Sequence, residues 1–126
     1  MIKLLEEKEA NETVRMVYRD IRDSVHMVPN LFKAMAAIDT VWLELNWYRS
    51  KQIMIEKGPL DRKTRELIAY AISVTNSCKY CAQTHEKMAL MQEATQKELN
   101  HAKQIIELVA SFNAIENTFP NIPFEN

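Results

Sequence analysis

The sequence predicts an all-α fold of about six helices, and two observations support this. The 126 residues contain a single glycine, which disfavours a β fold rich in turns. No stretch alternates polar and apolar residues as a strand does, whereas apolar residues recur every three or four positions along most of the chain. The length fits one domain, so residues 1–126 are expected to form a single unit.

Three helices are predicted in the first half of the chain. In the first of them, Val14, Val17 and Ile21 follow the spacing of one buried helical face. The third is expected to end before Gly58 and Pro59, a pair that commonly stops a helix. The three helices cover about residues 11–24, 31–38 and 40–57.

Three more helices are predicted in the second half, at about residues 62–75, 78–92 and 96–112. Asp61 is a good N-cap for the fourth helix, which carries no charge after Glu66 and is therefore expected to be largely buried. Ser77 is expected to cap the fifth helix, and Thr95 with Glu98 forms a capping box that opens the sixth. The predicted architecture is a helical bundle whose fourth and fifth helices form a central antiparallel hairpin.

Charge and hydropathy exclude several classes of partner. The formal net charge is −1, from 16 basic and 17 acidic residues, so the chain produces no long-range field of either sign. No run of lysine and arginine stands out, which makes nucleic acids and anionic membranes poor candidate partners. The acidic start differs from a secretory signal, and the longest nearly uncharged stretch, residues 67–78, is too short to span a bilayer. We therefore expect a soluble protein of the cytoplasm.

Two cysteines, a histidine and a glutamate form the candidate site. Cys78, Cys81 and His85 follow the i, i+3, i+7 spacing of one helical face. The free N–H groups and the dipole of the first helical turn stabilise a thiolate there, and His85 can exchange a proton with Cys81. In a hairpin of helices four and five, Glu66 lies level with His85 and can orient its ring. Tyr70, one turn on from Glu66, points toward the same region and could donate a hydrogen bond from its phenol.

Two other interpretations of these residues remain open. Cys78, Cys81 and His85 could supply three zinc ligands, with Glu66 as the fourth. Three neighbouring ligands on one regular helix point roughly the same way, however, and do not easily surround a tetrahedral ion. A pair of buried structural thiols is the second alternative, and it leaves the histidine and the glutamate without an explanation. A redox dithiol accounts for all four residues, so the expectation is a thiol site with no metal and no cofactor.

The pattern around these residues resembles the alkylhydroperoxidase D-like members of the carboxymuconolactone decarboxylase family. The shared features are Glu66, then eleven intervening residues, then the motif that begins with Cys78 and ends at His85. The stretches at residues 60–68 and 28–30 also resemble that family. The likeness covers about residues 25–112, which would form the core of the domain.

This resemblance implies an all-α fold that assembles into trimers or hexamers. It also implies a dithiol that reduces hydroperoxides or passes electrons to a peroxiredoxin partner. By analogy, Cys81 is the attacking thiol that becomes a sulfenic acid, and Cys78 resolves it as a redox-active internal disulfide. Glu66 and His85 would form the proton relay. A disulfide reductase or electron carrier without peroxidase activity is the alternative enzyme, and a metal-stabilised helical interaction module is the alternative from another class.

The chain departs from the family pattern at two places. Alkylhydroperoxidase D itself has a histidine just before the second cysteine, where this chain has Tyr80, so Tyr80 is an auxiliary candidate and the relay is expected to be shorter. A glycine that usually follows the fifth helix is replaced by Glu93 and Ala94. Carboxymuconolactone decarboxylases themselves lack the dithiol, so decarboxylation is not expected here.

Overall fold

A computed structural model describes residues 1–125 of the chain, and it confirms the all-α prediction. No strand occurs among these residues, and six α-helices account for most of them. A 3-10 turn at Glu7–Glu9 precedes the first helix, and a π-helical turn at Lys51–Ile55 follows the third. Asn126 lies outside the described residues. The helices are α1 (Glu12–Val25), α2 (Asn30–Ile38), α3 (Thr40–Ser50), α4 (Arg62–Thr75), α5 (Lys79–Met91) and α6 (Gln96–Glu116).

The chain divides into two compact units, Met1–Pro59 and Leu60–Asn126. The first unit contains α1 to α3, and the second contains α4 to α6 together with all the candidate site residues. This division into compact units does not test whether residues 1–126 form a single domain, which stays a prediction.

In the first unit, α1 packs against α3 through the apolar face that its periodicity predicts. Trp47 of α3 is buried there, and its Nε1–H donates a 2.7 Å hydrogen bond to Asp20 of α1. The Lys51 ammonium lies 3.0 Å from the same carboxylate. The Trp47 hydrogen bond and then Lys51 hold the pKa of Asp20 below its usual range. The buried residues of α1 are Val14, Val17, Tyr18, Ile21 and Val25.

Two predicted helix ends differ from the structure. The third helix changes after Ser50 into the π-helical turn, which closes with a 2.9 Å hydrogen bond from the N–H of Glu56 to the carbonyl of Lys51. The chain therefore leaves the helix just before the glycine and proline that were expected to stop it. The sixth helix continues beyond the predicted end at Phe112 as far as Glu116, because no helix-breaking residue lies between them.

In the second unit, α4 packs against both α5 and α6. Asp61 caps α4 as predicted, since its carboxylate accepts the N–H of Thr64 at 2.8 Å, and this bond lowers the pKa of Asp61. The predicted capping box of Thr95 and Glu98 is also present at the start of α6. Its Glu98 is further held by Lys63 of α4, at 3.0 Å. A small apolar core joins the three helices and contains Tyr70, Ala89, Ala94 and Leu99.

The end of α5 shows why a glycine suits that position. Glu93 has a φ of 69°, in the left-handed region. The N–H of Glu93 donates to the carbonyl of Leu90, and the N–H of Ala94 donates to the carbonyl of Ala89, at 3.1 and 3.0 Å. These two bonds form a Schellman motif, in which glycine is the preferred residue because it has no Cβ to clash.

Replacing Glu93 by glycine is therefore expected to stabilise the second unit, by about 1 kcal/mol, because it removes the steric cost of a left-handed residue. The thermal unfolding midpoint of the oxidised protein measures this effect. Gln92→Gly is the matched control. Gln92 has a φ of −96°, so glycine there is expected to lower the midpoint. A lower midpoint for both variants would contradict the interpretation.

Candidate active site

The turn between α4 and α5 determines where the first cysteine lies. Ser77 has a φ of 60°, and its N–H donates to the carbonyl of Val74. The N–H of Cys78 donates to the carbonyl of Ser73 at 2.9 Å, which completes a second Schellman motif. This backbone conformation places Cys78 directly at the start of α5.

Cys78 is the N-cap of α5, so the prediction that Ser77 caps this helix is wrong. The Sγ of Cys78 accepts the N–H of Cys81 at 3.2 Å, in the place that a serine hydroxyl usually takes. The reason is that the left-handed conformation of Ser77 ends α4, whereas a capping residue needs the extended conformation that Cys78 has. The sulfur of Cys78 therefore faces the positive end of the helix dipole.

The two cysteines form a disulfide, with their Cα atoms 5.2 Å apart. Both residues are half-buried. The bond closes a loop of only a few residues, so it constrains the unfolded chain little and has a small structural effect. A disulfide of this kind is better explained by its chemistry than by stability.

Glu66 and His85 meet across the α4–α5 hairpin. The Oε2 atom of Glu66 lies 2.7 Å from Nδ1 of His85. Glu66 is 5 % exposed, whereas the His85 side chain is 27 % exposed. A carboxylate at Nδ1 favours the tautomer that carries its proton on Nδ1, which leaves Nε2 as the acceptor. The ring is thereby oriented by a buried group and keeps one nitrogen for proton exchange.

The other candidate residues differ in their burial and in their position on the hairpin. Cys81 and His85 lie one turn apart on the same face of α5, in the spacing that the sequence predicts. Tyr70 is buried in the apolar core of the second unit, so packing already accounts for its ring. Tyr80 is 41 % exposed in the first turn of α5. Catalytic roles for these residues stay predictions.

One charged residue on the same face of α4 as Glu66 is not among the candidates that the sequence analysis names. Arg62 lies four residues before Glu66 on α4, and its Nε atom is buried without a hydrogen-bond partner. The four-residue spacing from Glu66 indicates that Arg62 lies on the same helix face. The sequence does not reveal, however, whether its side chain has a hydrogen-bond acceptor.

Within residues 1–125, no group of three or more histidine, cysteine, aspartate or glutamate side chains is arranged to hold a metal ion. The two sulfurs that a zinc site would need are bonded to each other. No helix in the described part of the chain is long and apolar enough to cross a membrane.

The second unit thus contains a helical hairpin with a disulfide at its turn and a glutamate–histidine pair beyond it. The sequence profile of the carboxymuconolactone decarboxylase family matches residues 29–120, and the chain belongs to this family.

Two known proteins resemble the chain. The crystal structure of the alkylhydroperoxidase AhpD core from Rhodospirillum rubrum superposes with a TM-score of 0.91 at 32 % identity. That match covers 99 % of this chain and 93 % of the other. Together with the family profile, it identifies the chain as an alkylhydroperoxidase D-like member of the family. An uncharacterized protein in the cox locus of Paracoccus denitrificans is 31 % identical over 70 residues. That alignment covers 56 % of this chain and 59 % of the Paracoccus protein.

Proposed function

We propose that this protein is a thiol-dependent oxidoreductase that reduces organic hydroperoxides with the Cys78–Cys81 dithiol. The observation that carries the proposal is the 2.7 Å contact between Glu66 and His85, on the same hairpin as the disulfide. A general base one turn from a thiol is what a nucleophilic cysteine needs near neutral pH. Membership of an alkylhydroperoxidase D-like group supports the choice of hydroperoxide.

The first step forms a sulfenic acid. His85, oriented by Glu66, takes the proton of the Cys81 thiol, and the thiolate attacks the terminal oxygen of the hydroperoxide. A sulfur–oxygen bond forms, the oxygen–oxygen bond breaks, and the departing alkoxide receives the proton from His85 as an alcohol.

The second step forms the disulfide. The Cys78 thiolate attacks the Cys81 sulfur, a sulfur–sulfur bond forms, and hydroxide leaves and is protonated to water. The helix start favours this step because the Cys81 N–H and the dipole stabilise a thiolate at Cys78. Two thiols thereby supply the two electrons that reduce one hydroperoxide to one alcohol and one water.

A second thiol-dependent activity is the main alternative. The disulfide is half-buried rather than enclosed, so the thiolate of a dithiol reductant or of a peroxiredoxin partner can reach it. In that case the protein would be a disulfide reductase or electron carrier with negligible peroxidase activity.

A cytoplasmic location is part of the proposal, because turnover needs a compartment that re-reduces the disulfide.

Intact mass after mixing reduced, metal-free protein with one equivalent of an organic hydroperoxide tests the proposal. Loss of two hydrogens within seconds is the expected result, with stoichiometric alcohol as the second product. Unchanged mass after many minutes would contradict peroxidase activity and favour the electron carrier, which lipoyl, thioredoxin-like and peroxiredoxin partners would then distinguish. Stoichiometric zinc in protein purified without chelator would instead support the metal-stabilised interaction module.

Self-association into a trimer or hexamer is proposed from the same family resemblance. The last ten residues of α6 are exposed on every side, although apolar residues recur there at helical spacing. An apolar stripe of this kind usually packs against another protein surface. The exposed residues of the stripe are Leu108, Val109, Phe112 and Ile115.

A further inference from the structure

We propose that Arg62 forms an anion subsite beside the dithiol, which selects hydroperoxides that carry a carboxylate group. The inference rests on the proposed peroxidase function and deepens it by naming the substrate class. The family match assigns no role to this arginine.

The position of Arg62 follows from the geometry of the hairpin. Arg62 is the first residue of α4 and lies one turn before Glu66, on the same face. The contact between Glu66 and His85 sets the level of the two helices. Since α4 and α5 run antiparallel, Arg62 lies about one turn beyond His85, on the side away from Cys81. The site thus has a thiol at one end and a cation at the other, with the glutamate–histidine pair between them.

The charge of Arg62 has no partner among the described residues of the second unit. The residue is half-buried, its Nε is enclosed without an acceptor, and no ion pair or side-chain hydrogen bond joins it to another described residue of the second unit. Asp61, next to Arg62, caps α4 with its carboxylate, and Glu66, the one acid within α4, is already bonded to His85. By contrast, the neighbouring Lys63 pairs with Glu98.

An unpaired and partly desolvated guanidinium is unfavourable, and a bound anion would remove much of that cost. Arginine suits a carboxylate particularly well, because two parallel N–H groups match its two oxygens. Because the residue is half-buried and not fully enclosed, part of it stays accessible to such a group. Arg62 is therefore a substrate-binding residue rather than part of the proton relay.

The distance between the two ends of the site restricts the length of the substrate. Cys81 lies level with about Tyr70, eight residues along α4 from Arg62. At 1.5 Å per residue this separation is about 12 Å along the hairpin. A short hydroperoxide cannot reach both ends, whereas a fatty-acid hydroperoxide can place its peroxide at the thiol and its carboxylate near the guanidinium.

Kinetics with a matched pair of substrates test the subsite. A fatty-acid hydroperoxide and its methyl ester, both below the concentration at which they form micelles, differ only in the negative charge. We expect KM of the wild-type protein to be about ten- to a hundredfold lower for the acid than for the ester. This is the gain in affinity that one hydrogen-bonded pair of opposite charges typically provides. Arg62→Gln should bring this ratio close to one, and Arg62→Lys should keep part of it. Lys87→Gln, which removes one exposed positive charge of α5, should leave the ratio as it is in the wild type.

Each outcome separates the subsite from the proposed function. Equal KM values for acid and ester in the wild type, or a large ratio that persists in Arg62→Gln, would overturn the subsite and leave the peroxidase proposal standing. Absence of reaction with either substrate would overturn the peroxidase proposal itself. If Arg62→Gln does not fold, inhibition of the wild type decides the matter. The unoxidised fatty acid should then inhibit at least tenfold more strongly than its methyl ester, and equal inhibition would overturn the subsite.

Discussion

Cys81→Ser is expected to abolish peroxide-dependent turnover, with a loss on the order of 10⁴-fold or more, because a hydroxyl one turn from His85 is a far weaker nucleophile than a thiolate. Turnover is measured as alcohol formed from an organic hydroperoxide in the presence of a dithiol reductant. The proposal requires that the variant form alcohol no faster than the same mixture without protein.

Cys78→Ser is the matched control for this experiment, because it keeps the nucleophile and removes only the resolving thiol. One equivalent of hydroperoxide should add one oxygen to this variant, as a persistent sulfenic acid on Cys81. Cys81→Ser should gain no oxygen under the same conditions. The opposite pattern would assign the attack to Cys78, whose sulfur accepts the Cys81 N–H at the helix start and is therefore also suited to form a thiolate. Full activity in Cys81→Ser would remove the peroxidase proposal.

Glu66→Gln is expected to lower kcat/KM for hydroperoxide by about 10²- to 10⁴-fold, because it disables a positioned acid–base pair without changing the size of the side chain. The amide can still contact Nδ1 of His85, but its oxygen carries no full charge to stabilise an imidazolium. The measurement is the rate of disulfide formation from reduced protein, followed by intact mass.

A pH profile distinguishes this loss from damage to the fold. The deficit of Glu66→Gln should shrink as the pH rises toward about 8.5, the ordinary pKa of a thiol, because the thiolate then forms without a base. Glu86→Gln, on the same hairpin and outside the glutamate–histidine pair, should retain the activity and the profile of the wild type. A deficit in Glu66→Gln that is equal at every pH would contradict the relay.

Most of the fold follows from local information in the sequence. The buried face of α1 was predicted because Val14, Val17 and Ile21 repeat at helical spacing, and burial of that face requires only a neighbour, not a particular one. The caps at Asp61 and Thr95 were predicted for the same reason, since each cap bonds to a backbone N–H three residues away.

The approach of Glu66 to His85 could also be predicted from the sequence, because a short turn between two helices sets which residues face each other. The capping residue of α5 could not be predicted in this way. Serine is the common capping residue, but Ser77 adopts the left-handed conformation that ends α4, and the role passes to Cys78. This choice depends on how the two helices pack, which the local sequence does not specify.

The sequence by itself thus determined the helices, the hairpin and the residue types of the site, because periodicity, caps and spacing act over a few neighbouring positions. Only the tertiary structure decided which groups find partners. It showed that Tyr70 belongs to the core and that the Nε of Arg62 has no acceptor among the described residues. The physical reason is that burial and pairing depend on atoms from distant parts of the chain, whose positions are set only when the helices pack.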